Sequence, residues 1–470
     1  MSGMKSFVWI SAFTGALIQH TVAAPTPTQP EADLDERGVV GGLIGVGGTA
    51  ISNLNNLGSS GTGTAKYNSA LSYLKTITPT ATPTSPQQAL AALSSIYEAS
   101  PTPNNLYAAI GEYVAAGLTT NNINDALSAI EAGPSGANSE TNTNPKNPSP
   151  PVYPKANSTD APYDLSETRL RAAIHIPSTY QYGAPNAPQP IILVPGTGDT
   201  GYTTFRGSYI PLLTNSPIGD PVWLNIPGYL LNDAQTNAEY VAYAINYISA
   251  ISAHRQIAVL GWSQGNIDTQ WAFKYWPSTR SKVTDHVAFS PDYHGTVLAN
   301  FLALGEPLPP SVLQQEYTST FITTLRAEGG DSAYVPTTTV YSGFLDEVVE
   351  PQQGVGASAF LKDARGVGVS NNEVQSICAG QPAGGFYTHE GILYNALGFA
   401  LAVDALSHAG PGKVSRLDLG RVCGDYLTPG LGLDDLLLTE DSIAVAGVAI
   451  LVYPDKVVAE PAIRSYAVSS

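Results

Sequence analysis

The sequence contains little cysteine and little positive charge. Two cysteines, Cys378 and Cys423, occur among its 470 residues, and no histidine pair stands at ligand spacing, so a structural zinc site is not expected. Lysine and arginine number 21 against 38 aspartates and glutamates, which gives a formal net charge of -17. Because such a chain repels polyanions, it is not expected to bind nucleic acid, and any contact with lipid has to be apolar.

Long apolar runs are also absent. The segment Phe7–Ile18, after Lys5, is shorter than the roughly 20 residues that a membrane-spanning helix needs, and small residues follow it at 21–24. This pattern predicts a signal peptide over residues 1–23 and a secreted, extracellular protein without a transmembrane span in its mature chain. The C-terminal apolar run 442–453 is also too short to span, and both core packing and lipid contact are open to it.

An oxidising secretory route changes what two cysteines can do. Cys378 and Cys423 suffice for one disulfide, which would close a loop of about 45 residues and stabilise the fold by on the order of 4 kcal/mol. A buried pair of free thiols is the alternative. In the same setting, Asn157-Ser158-Thr159 is a glycosylation acceptor pattern, which makes Asn157 the candidate attachment site.

Composition divides the rest of the chain into three segments. Residues 24–133 join a low-complexity stretch to short helical patterns, which suit a pro-region, a chaperone segment or an accessory domain. Residues 134–162 are rich in Pro, Ser and Asn and are predicted to form a linker. Residues 163–470 are predicted to form the catalytic domain.

Short apolar runs separated by helical patterns indicate the fold class of the last segment. Their alternation is typical of an α/β protein with a mostly parallel central sheet and flanking helices. Because functional groups in such sheets follow the carboxyl ends of the strands, the residues after each run are the candidates for chemistry. The predicted strands are Ile191–Val194, Pro221–Ile226, Ile257–Leu260, Val287–Ser290, Thr337–Tyr341 and Val374–Cys378.

The third predicted strand leads into Gly261-Trp262-Ser263-Gln264-Gly265. Large apolar residues follow at four-residue spacing, which predicts a helix, so the pentapeptide is a sharp strand-to-helix turn. Small residues at both ends let the two elements approach each other and push the central side chain outward, as in a G-x-S-x-G nucleophile elbow. Ser263 is therefore the candidate nucleophile, and a serine that only forms part of a turn is the alternative.

A serine nucleophile needs a base and an acid, which this fold supplies in the chain order Ser, acid, His. His389 lies in a glycine-containing loop that runs into a helix, and it is the preferred base. His408 lies at a helix C-terminus, where a cation suits the helix dipole and no function is required. Asp346, after the strand that ends at Tyr341, is the preferred acid, and Asp292, one strand earlier, competes with it.

The first predicted strand runs into a glycine-containing loop, VPGTGDTG, at residues 194–201. Its glycines let backbone N–H groups approach a substrate oxygen, and the amide of Gln264 supplies a second donor through the geometry of the elbow. The loop contains no lysine, so a phosphate-binding loop is not expected. The sequence therefore predicts an oxyanion hole, with neither a metal nor an organic cofactor.

Motifs outside the elbow are also informative: PIILVPGTGDTG, LNDAQTNAEY, RSKV, AFSPDYHGTVLA and PTTTVYSGFLDEVVEPQ. Together with LGWSQGNIDTQWAF they resemble the fungal lipase family of Candida antarctica lipase B, within the α/β-hydrolase superfamily. The likeness runs from about residue 163 to about residue 461 and does not include residues 24–160. It implies an α/β-hydrolase fold and a carboxylic ester hydrolase.

The resemblance implies a role for each matching residue. It makes Ser263 the nucleophile, Asp346 the acid and His389 the base, and it moves Asp292 from a rival acid to a pocket residue. The implied oxyanion hole consists of Thr197 and Gln264. The implied pocket consists of Trp262 on the alcohol side and of Asp292, Gln315 and Val348 on the acyl side.

The chain also departs from the family pattern. A family member begins the elbow with Thr where this chain has Gly261, and Asn266 replaces a glycine just after the elbow. The predicted rim, residues 300–311, differs most, so the resemblance does not fix chain-length preference or lid motion. The cysteines fall where the family keeps one of its bonds, which favours a disulfide between Cys378 and Cys423.

The sequence therefore predicts a secreted serine ester hydrolase that forms an acyl-enzyme. A triacylglycerol lipase that acts on ester or lipid substrates at a lipid–water interface, and also transfers acyl groups to alcohols, is the preferred reading. A short-chain carboxylesterase is the alternative among enzymes. From another class, a catalytically silent protein that binds lipid or cell wall is the alternative if the loops around His389 have diverged.

Overall fold

A computed structural model of the protein describes residues 82–99, 106–120, 133–297, 307–343 and 345–468, with single positions at 72, 76, 77, 79, 80 and 130. The predicted signal peptide and most of the low-complexity stretch lie outside the described residues. So does part of the predicted rim.

Seven strands of the described chain form one sheet in the order β1-β3-β2-β4-β5-β6-β7. Strand β1 pairs with β3 in the antiparallel direction, and all other neighbours are parallel. This arrangement is the α/β-hydrolase fold that the sequence predicts. The strands are β1 (Ile174–His175), β2 (Pro190–Val194), β3 (Asp220–Leu224), β4 (Ile257–Trp262), β5 (Val283–Phe289), β6 (Thr337–Tyr341) and β7 (Val369–Glu373).

Helices cover both faces of the sheet. The longest helix on one of these faces is Ala234–Ile251. Asp233 caps its N-terminus, because the side chain of Asp233 accepts a hydrogen bond from the N–H of Gln235. The α-helices are α1 (Pro86–Ala99), α2 (Leu106–Ala115), α3 (Glu167–Ala172), α4 (Gly201–Phe205), α5 (Tyr209–Leu213), α6 (Ala234–Ile251), α7 (Gln264–Tyr275), α8 (Pro310–Gln314), α9 (Thr320–Arg326), α10 (Val374–Ile377), α11 (Ala396–Ser407), α12 (Leu419–Val422) and α13 (Leu433–Val452).

Strands β2 and β4 are apolar along their whole length because both of their faces are buried. In β2, Ile192 and Val194 pack in the hydrophobic cluster under α6 and α7. The alternate residues Ile191 and Leu193 pack in the opposite cluster, with α5 and α11. Successive side chains of a strand point to opposite faces, so a parallel sheet covered on both sides selects an unbroken apolar run.

One predicted strand is wrong. Residues 374–377 form the short helix α10, and the strand before it is β7, Val369–Glu373. Val374, Ile377 and Cys378 stand three and four residues apart, which is helical spacing, whereas β7 lies at the edge of the sheet and is mostly half-buried. An edge strand does not need an apolar sequence. The prediction relied on apolar runs and therefore placed the strand at residues 374–378 instead of at β7.

The Pro-, Ser- and Asn-rich segment 134–162 lies along the surface of the hydrolase unit. Trp223 Nε1 donates a hydrogen bond to the carbonyl of Ala137 at 2.8 Å, and Tyr247 Oη donates to the carbonyl of Lys146 at 2.7 Å. At the far end, the N–H of Ala161 donates to the carbonyl of Tyr275 at 2.8 Å. The segment has the composition of a linker, but its backbone satisfies polar groups of the domain.

Helix α2 packs against the C-terminal helix α13. Ile110 and Val114 share a hydrophobic cluster with Ala444, Val445 and Val448. The apolar C-terminal run is therefore largely buried as part of a core helix. In the part of the chain that the structure describes, no helix combines the length and apolarity needed to cross a membrane.

Cys378 and Cys423 form a disulfide, with their Cα atoms 5.3 Å apart and 45 positions apart in the chain. Both cysteines are buried. The bond closes the segment that carries His389 and α11.

Candidate active site

Ser263 occupies the turn between β4 and α7 in a backbone conformation that non-glycine residues rarely adopt. Its φ is 52° and its ψ is -130°. Its N–H donates to the carbonyl of Phe289 at 3.0 Å, which ties the turn to the end of β5. The side chain therefore stands at the carboxyl edge of the sheet, as the elbow pattern predicts.

Residues 196 and 265, beside Ser263, have to be glycines because the loop after β2 and the elbow approach each other closely. A Cβ at Gly265 would lie 2.4 Å from the carbonyl oxygen of Pro195, and a Cβ at Gly196 would lie 2.5 Å from the Trp262 ring and 3.0 Å from Ser263 Cβ. Real Cβ atoms do not come this close to backbone. The loop after β2 therefore lies directly against the elbow because both segments carry glycine.

His389 and Asp346 form a buried pair. Nδ1 of His389 lies 2.9 Å from Oδ2 and 3.0 Å from Oδ1 of Asp346, and each residue is 2% exposed. The N–H groups of Val348 and Val349 donate to Oδ1 of Asp346 at 3.0 and 2.7 Å, which stabilises the ionised carboxylate. Nε2 of His389 is buried and has no hydrogen-bond partner among the described residues, so the second ring nitrogen is available for proton transfer.

Two side chains hold the His389 loop against the elbow. Trp262 Nε1 donates to the carbonyl of His389 at 3.1 Å, and Ser290 Oγ donates to the same carbonyl at 2.9 Å. The rings of Trp262 and His389 lie 5.1 Å apart between centroids. Thus the structure brings His389 next to the residue that precedes Ser263.

Thr197, Gln264 and Gln315 form one polar network beside the elbow. Thr197 Oγ1 lies 2.9 Å from Oε1 of Gln264 and 2.9 Å from Oε1 of Gln315, and Gln315 Nε2 donates to Gln264 Oε1 at 3.0 Å. Gln264 is the first residue of α7, where N–H groups have no partner inside the helix. The predicted oxyanion residues are therefore adjacent, with the backbone amide of Gln264 at a helix N-terminus.

Asp292 is fully buried near this network, and neither of its carboxylate oxygens has a partner among the described residues. Burial raises the pKa of Asp292 to about 7. Burial also raises the pKa of Asp268 well above its usual range, and Asp292 adds to that rise. Asp292 does not contact the Nδ1 atom of His389, which Asp346 occupies.

The remaining residues singled out from the sequence are Val348, His408 and Asn157. Val348 is half-buried, and its carbonyl accepts from Thr296 Oγ1 at 2.9 Å. His408 caps the C-terminus of α11, with Nδ1 2.9 Å from the carbonyl of Asp404 and half of its side chain exposed. Asn157 is exposed, as glycosylation would require. Among the described residues, no group of three acidic, His or Cys side chains is arranged to hold a metal ion.

Three glutamates behind the His389 loop were not predicted: Glu390 and Glu440 are buried, and Glu347 is partly buried. Glu347 Oε2 accepts from the backbone N–H of His389 at 2.9 Å, and Glu440 Oε1 accepts from Tyr394 Oη at 2.6 Å. Burial raises the pKa of Glu440 to about 7 and those of Glu347 and Glu390 well above their usual range. Glu347 and Glu390 adjoin Asp346 and His389 in sequence, but nothing in the sequence shows that their side chains are buried together.

A second unpredicted group surrounds Asn266. Its Nδ2 lies 3.0 Å from the carbonyl of Ser263 and 3.2 Å from that of Phe289, and its Oδ1 lies 3.1 Å from Nε2 of His286. Both Asn266 and His286 are fully buried. Sequence reasoning identified Asn266 only as a departure from the family pattern, because its partners come from another strand.

Comparison with known proteins extends these observations. No family model matches the sequence. The chain is 36% identical over 284 residues to lipase B of Pseudozyma antarctica, an alignment that covers 59% of this chain and 79% of the relative. The crystal structure of Aspergillus fumigatus lipase B shares 48% identity with a TM-score of 0.81, and the match covers 89% of this chain and 99% of that one.

Proposed function

Because this chain belongs to the lipase B family of α/β-hydrolases and is a carboxylic ester hydrolase, we propose that it is a secreted triacylglycerol lipase with Ser263, His389 and Asp346 as its catalytic triad. One observation carries the assignment: His389 pairs with Asp346 through Nδ1 while its buried Nε2 has no partner among the described residues, next to the elbow. This is the arrangement that a general base for Ser263 requires.

The proposed reaction begins with attack of Ser263 Oγ on the ester carbonyl carbon, while Nε2 of His389 takes the hydroxyl proton. The carbonyl oxygen becomes an oxyanion, which the N–H groups of Thr197 and Gln264 and the hydroxyl of Thr197 stabilise. When the intermediate collapses, His389 returns the proton to the departing alcohol and an acyl-Ser263 ester remains. Asp346 holds the imidazole and stabilises its charged form without taking the proton.

The second half of the reaction releases the acyl group. A water molecule gives its proton to His389 and attacks the acyl carbon, and the proton then returns to Ser263 Oγ as the carboxylic acid leaves. If an alcohol replaces water, the same steps form a new ester. Acyl transfer to alcohols therefore belongs to the proposed activity.

The substrate class is proposed from the residues around the elbow. Trp262 would line the alcohol side, while Asp292, Gln315 and Val348 would line the acyl side. The names of both relatives describe lipases, which favours a lipase over a short-chain carboxylesterase. Rates over a series of esters of increasing chain length, dissolved and emulsified, should rise with chain length and emulsification; a preference for short, dissolved esters would indicate a carboxylesterase.

Labelling of the nucleophile tests the catalytic assignment. A phosphonate ester should add to Ser263 alone, abolish hydrolysis, and give an adduct that mass spectrometry locates at that residue. Ser263→Ala should prevent both labelling and hydrolysis. Ser249→Ala is the matched control, because Ser249 is buried in α6 and donates only to the carbonyl of Arg255. If the folded parent protein stays unlabelled, the alternative of a catalytically silent binding protein is favoured instead.

A further inference from the structure

Asn266 connects the nucleophile to the strand that supports the base. We propose that Asn266 is a positioning residue of the esterase reaction: its side-chain amide fixes the elbow to the end of β5, and glycine at position 261 is the space that this amide needs. The inference rests on the proposed role of Ser263 and adds a residue that touches neither substrate nor the reacting atoms.

The donor side of the amide binds the two backbone segments that define the site. Nδ2 donates to the carbonyl of Ser263 at 3.0 Å and to the carbonyl of Phe289 at 3.2 Å. The residue after Phe289 is Ser290, whose hydroxyl donates to the carbonyl of His389. One side chain therefore joins the residue that carries the nucleophile to the strand end that holds the base.

The acceptor side of the amide is fixed from β5. Oδ1 of Asn266 lies 3.1 Å from Nε2 of His286, whose burial lowers its pKa to about 3, so the imidazole is neutral. Tyr293 Oη lies 3.4 Å from Nδ1 of His286. If the tyrosine donates to Nδ1, Nε2 carries the proton and donates to Oδ1, and Nδ2 must then face the two carbonyls.

Gly261 faces the same amide. A Cβ at Gly261 would lie 2.4 Å from Oδ1 of Asn266, closer than any side chain tolerates. The two departures from the family pattern in the elbow region, glycine at 261 and asparagine at 266, therefore occupy one shared space. They form a single exchange in which a side chain on the strand is replaced by an amide on the helix.

The backbone of Ser263 is held in a sparsely populated conformation, and the amide of Asn266 helps to stabilise it. Such a conformation persists only where its surroundings determine it, and the bond from Nδ2 to the carbonyl of Ser263 is one of those constraints. Removing it should let the Ser263 hydroxyl shift relative to His389. Since Asn266 does not line the pocket, substrate binding should change little.

Asn266→Ala tests the proposal. We expect kcat to fall by about tenfold to a hundredfold with little change in KM, because small displacements of a nucleophile reduce rates by such factors. The rate at which the phosphonate labels Ser263 should fall in parallel. The control is Asn372→Ala, because Asn372 is a buried asparagine of β7 whose Nδ2 donates to the carbonyls of Thr339 and Ser370. It should lose stability and keep its kcat per folded molecule.

A double-mutant cycle tests the coupling of the two positions and does not depend on the alanine variant folding. Gly261→Thr alone should be nearly inactive or unfolded, whereas the same substitution combined with Asn266→Gly should recover folding and the activity of Asn266→Gly alone. Additive losses at 261 and 266, or an unchanged kcat in Asn266→Ala, would overturn the inference. Absence of labelling in the parent protein would instead overturn the role of Ser263 itself.

Discussion

The position of the Ser263 side chain depends on the small residues that surround the elbow. Gly265 and Gly196 bring the loop after β2 into contact with the elbow, and Gly261 leaves room for the amide of Asn266. A larger residue at Gly265 would move backbone, because the nearest atoms there are carbonyl oxygens, whereas at Gly196 and Gly261 it would meet the side chains of Trp262 and Asn266. The reactivity of the serine is thus set by the space around it.

The two candidate histidines should differ sharply when replaced. His389→Ala should lower kcat by about three orders of magnitude or more, because it removes the proposed general base, while His408→Ala should change kcat little. His408 is half-exposed and contacts only the end of its own helix. Steady-state rates of both purified variants, corrected for folded fraction, provide the measurement. A larger loss in His408→Ala than in His389→Ala would reverse the assignment.

Single residues were predictable where local pattern determines their role. The order of serine, acid and histidine, combined with loop positions after strands, was enough to propose Ser263, Asp346 and His389. Asn266 and the buried glutamates behind the His389 loop were not, because their partners lie on other elements. Glu440, for example, reaches Tyr394 and Thr388 across more than 45 positions of chain, and only the packed fold brings such residues together.

Helix α13 connects the N-terminal helices to the loop after β2. On one side it packs against α2. On another it meets Gly198, where a Cβ would lie 2.6 Å from the Cα of Ala446. The carboxylate of Asp441 forms a further link, because it accepts from Thr120 beyond α2 and from Arg206 beyond α4. The N-terminal region thus contacts the element that backs the proposed oxyanion hole.

The contact between Thr120 and Asp441 should determine how firmly the N-terminal helices dock. Thr120 Oγ1 donates to Oδ2 of Asp441 at 2.6 Å, and Asp441 is fully buried. Thr120→Val removes this donor and should cost about 1–2 kcal/mol. Limited proteolysis should then cut residues 106–120 sooner than in the parent, while the hydrolase unit stays intact. Thr141→Val, at an exposed position, is the control, and equal cleavage of the two variants would show that the contact does not hold this region.

Elements were predictable where both faces of a strand or one face of a helix is buried. The runs that became β2, β4 and β6 were predicted within two residues of their ends. The edge strands β1 and β7 were missed because half-exposed strands need no apolar sequence. The pairing of these two strands depends on the neighbouring strand and not on an apolar pattern in their own residues.

The whole molecule carries a formal charge of -17, and part of its acidic content is buried. Burial raises the pKa of Asp199 to about 8 and the pKa values of Glu239, Asp292 and Glu440 to about 7. A carboxyl whose folded pKa is raised binds its proton more tightly in the folded state. Its contribution to stability is therefore complete below about pH 4.5 and is lost as the pH rises through 7 to 8.

Stability should accordingly fall between pH 6 and pH 8. The free energy of unfolding should decrease by on the order of 3 kcal/mol over this range, and Glu440→Gln should reduce the decrease because it removes one titrating group. His286 and His294, whose pKa values burial lowers to about 3 and about 4, work in the opposite direction, but mostly below about pH 6.5, where an unfolded histidine takes up its proton. Urea unfolding at both pH values gives the comparison. A protein that is more stable at pH 8 would show that these carboxyls stay ionised in the folded state.

At this scale, composition predicted the net charge and the fold class but not the location of the charges. Nothing in the local sequence around Asp199 or Glu239 shows that these carboxyl groups are buried. Their burial follows from the approach of distant segments. Hence the pH dependence of the molecule could not be derived before its packing was known.

The shared space of Gly261 and Asn266 also restricts how this elbow can change over evolutionary time. A lineage that gains a larger side chain at 261 first meets the amide oxygen of Asn266, so that order of substitution passes through a damaged enzyme. The opposite order, with glycine at 266 first, costs only the part of the rate that the amide contributes, because the carbonyls of Ser263 and Phe289 keep their bonds to the backbone N–H groups of residues 266 and 263. Exchange between the two forms of the elbow therefore has a direction, and ancestral intermediates should carry glycine at both positions.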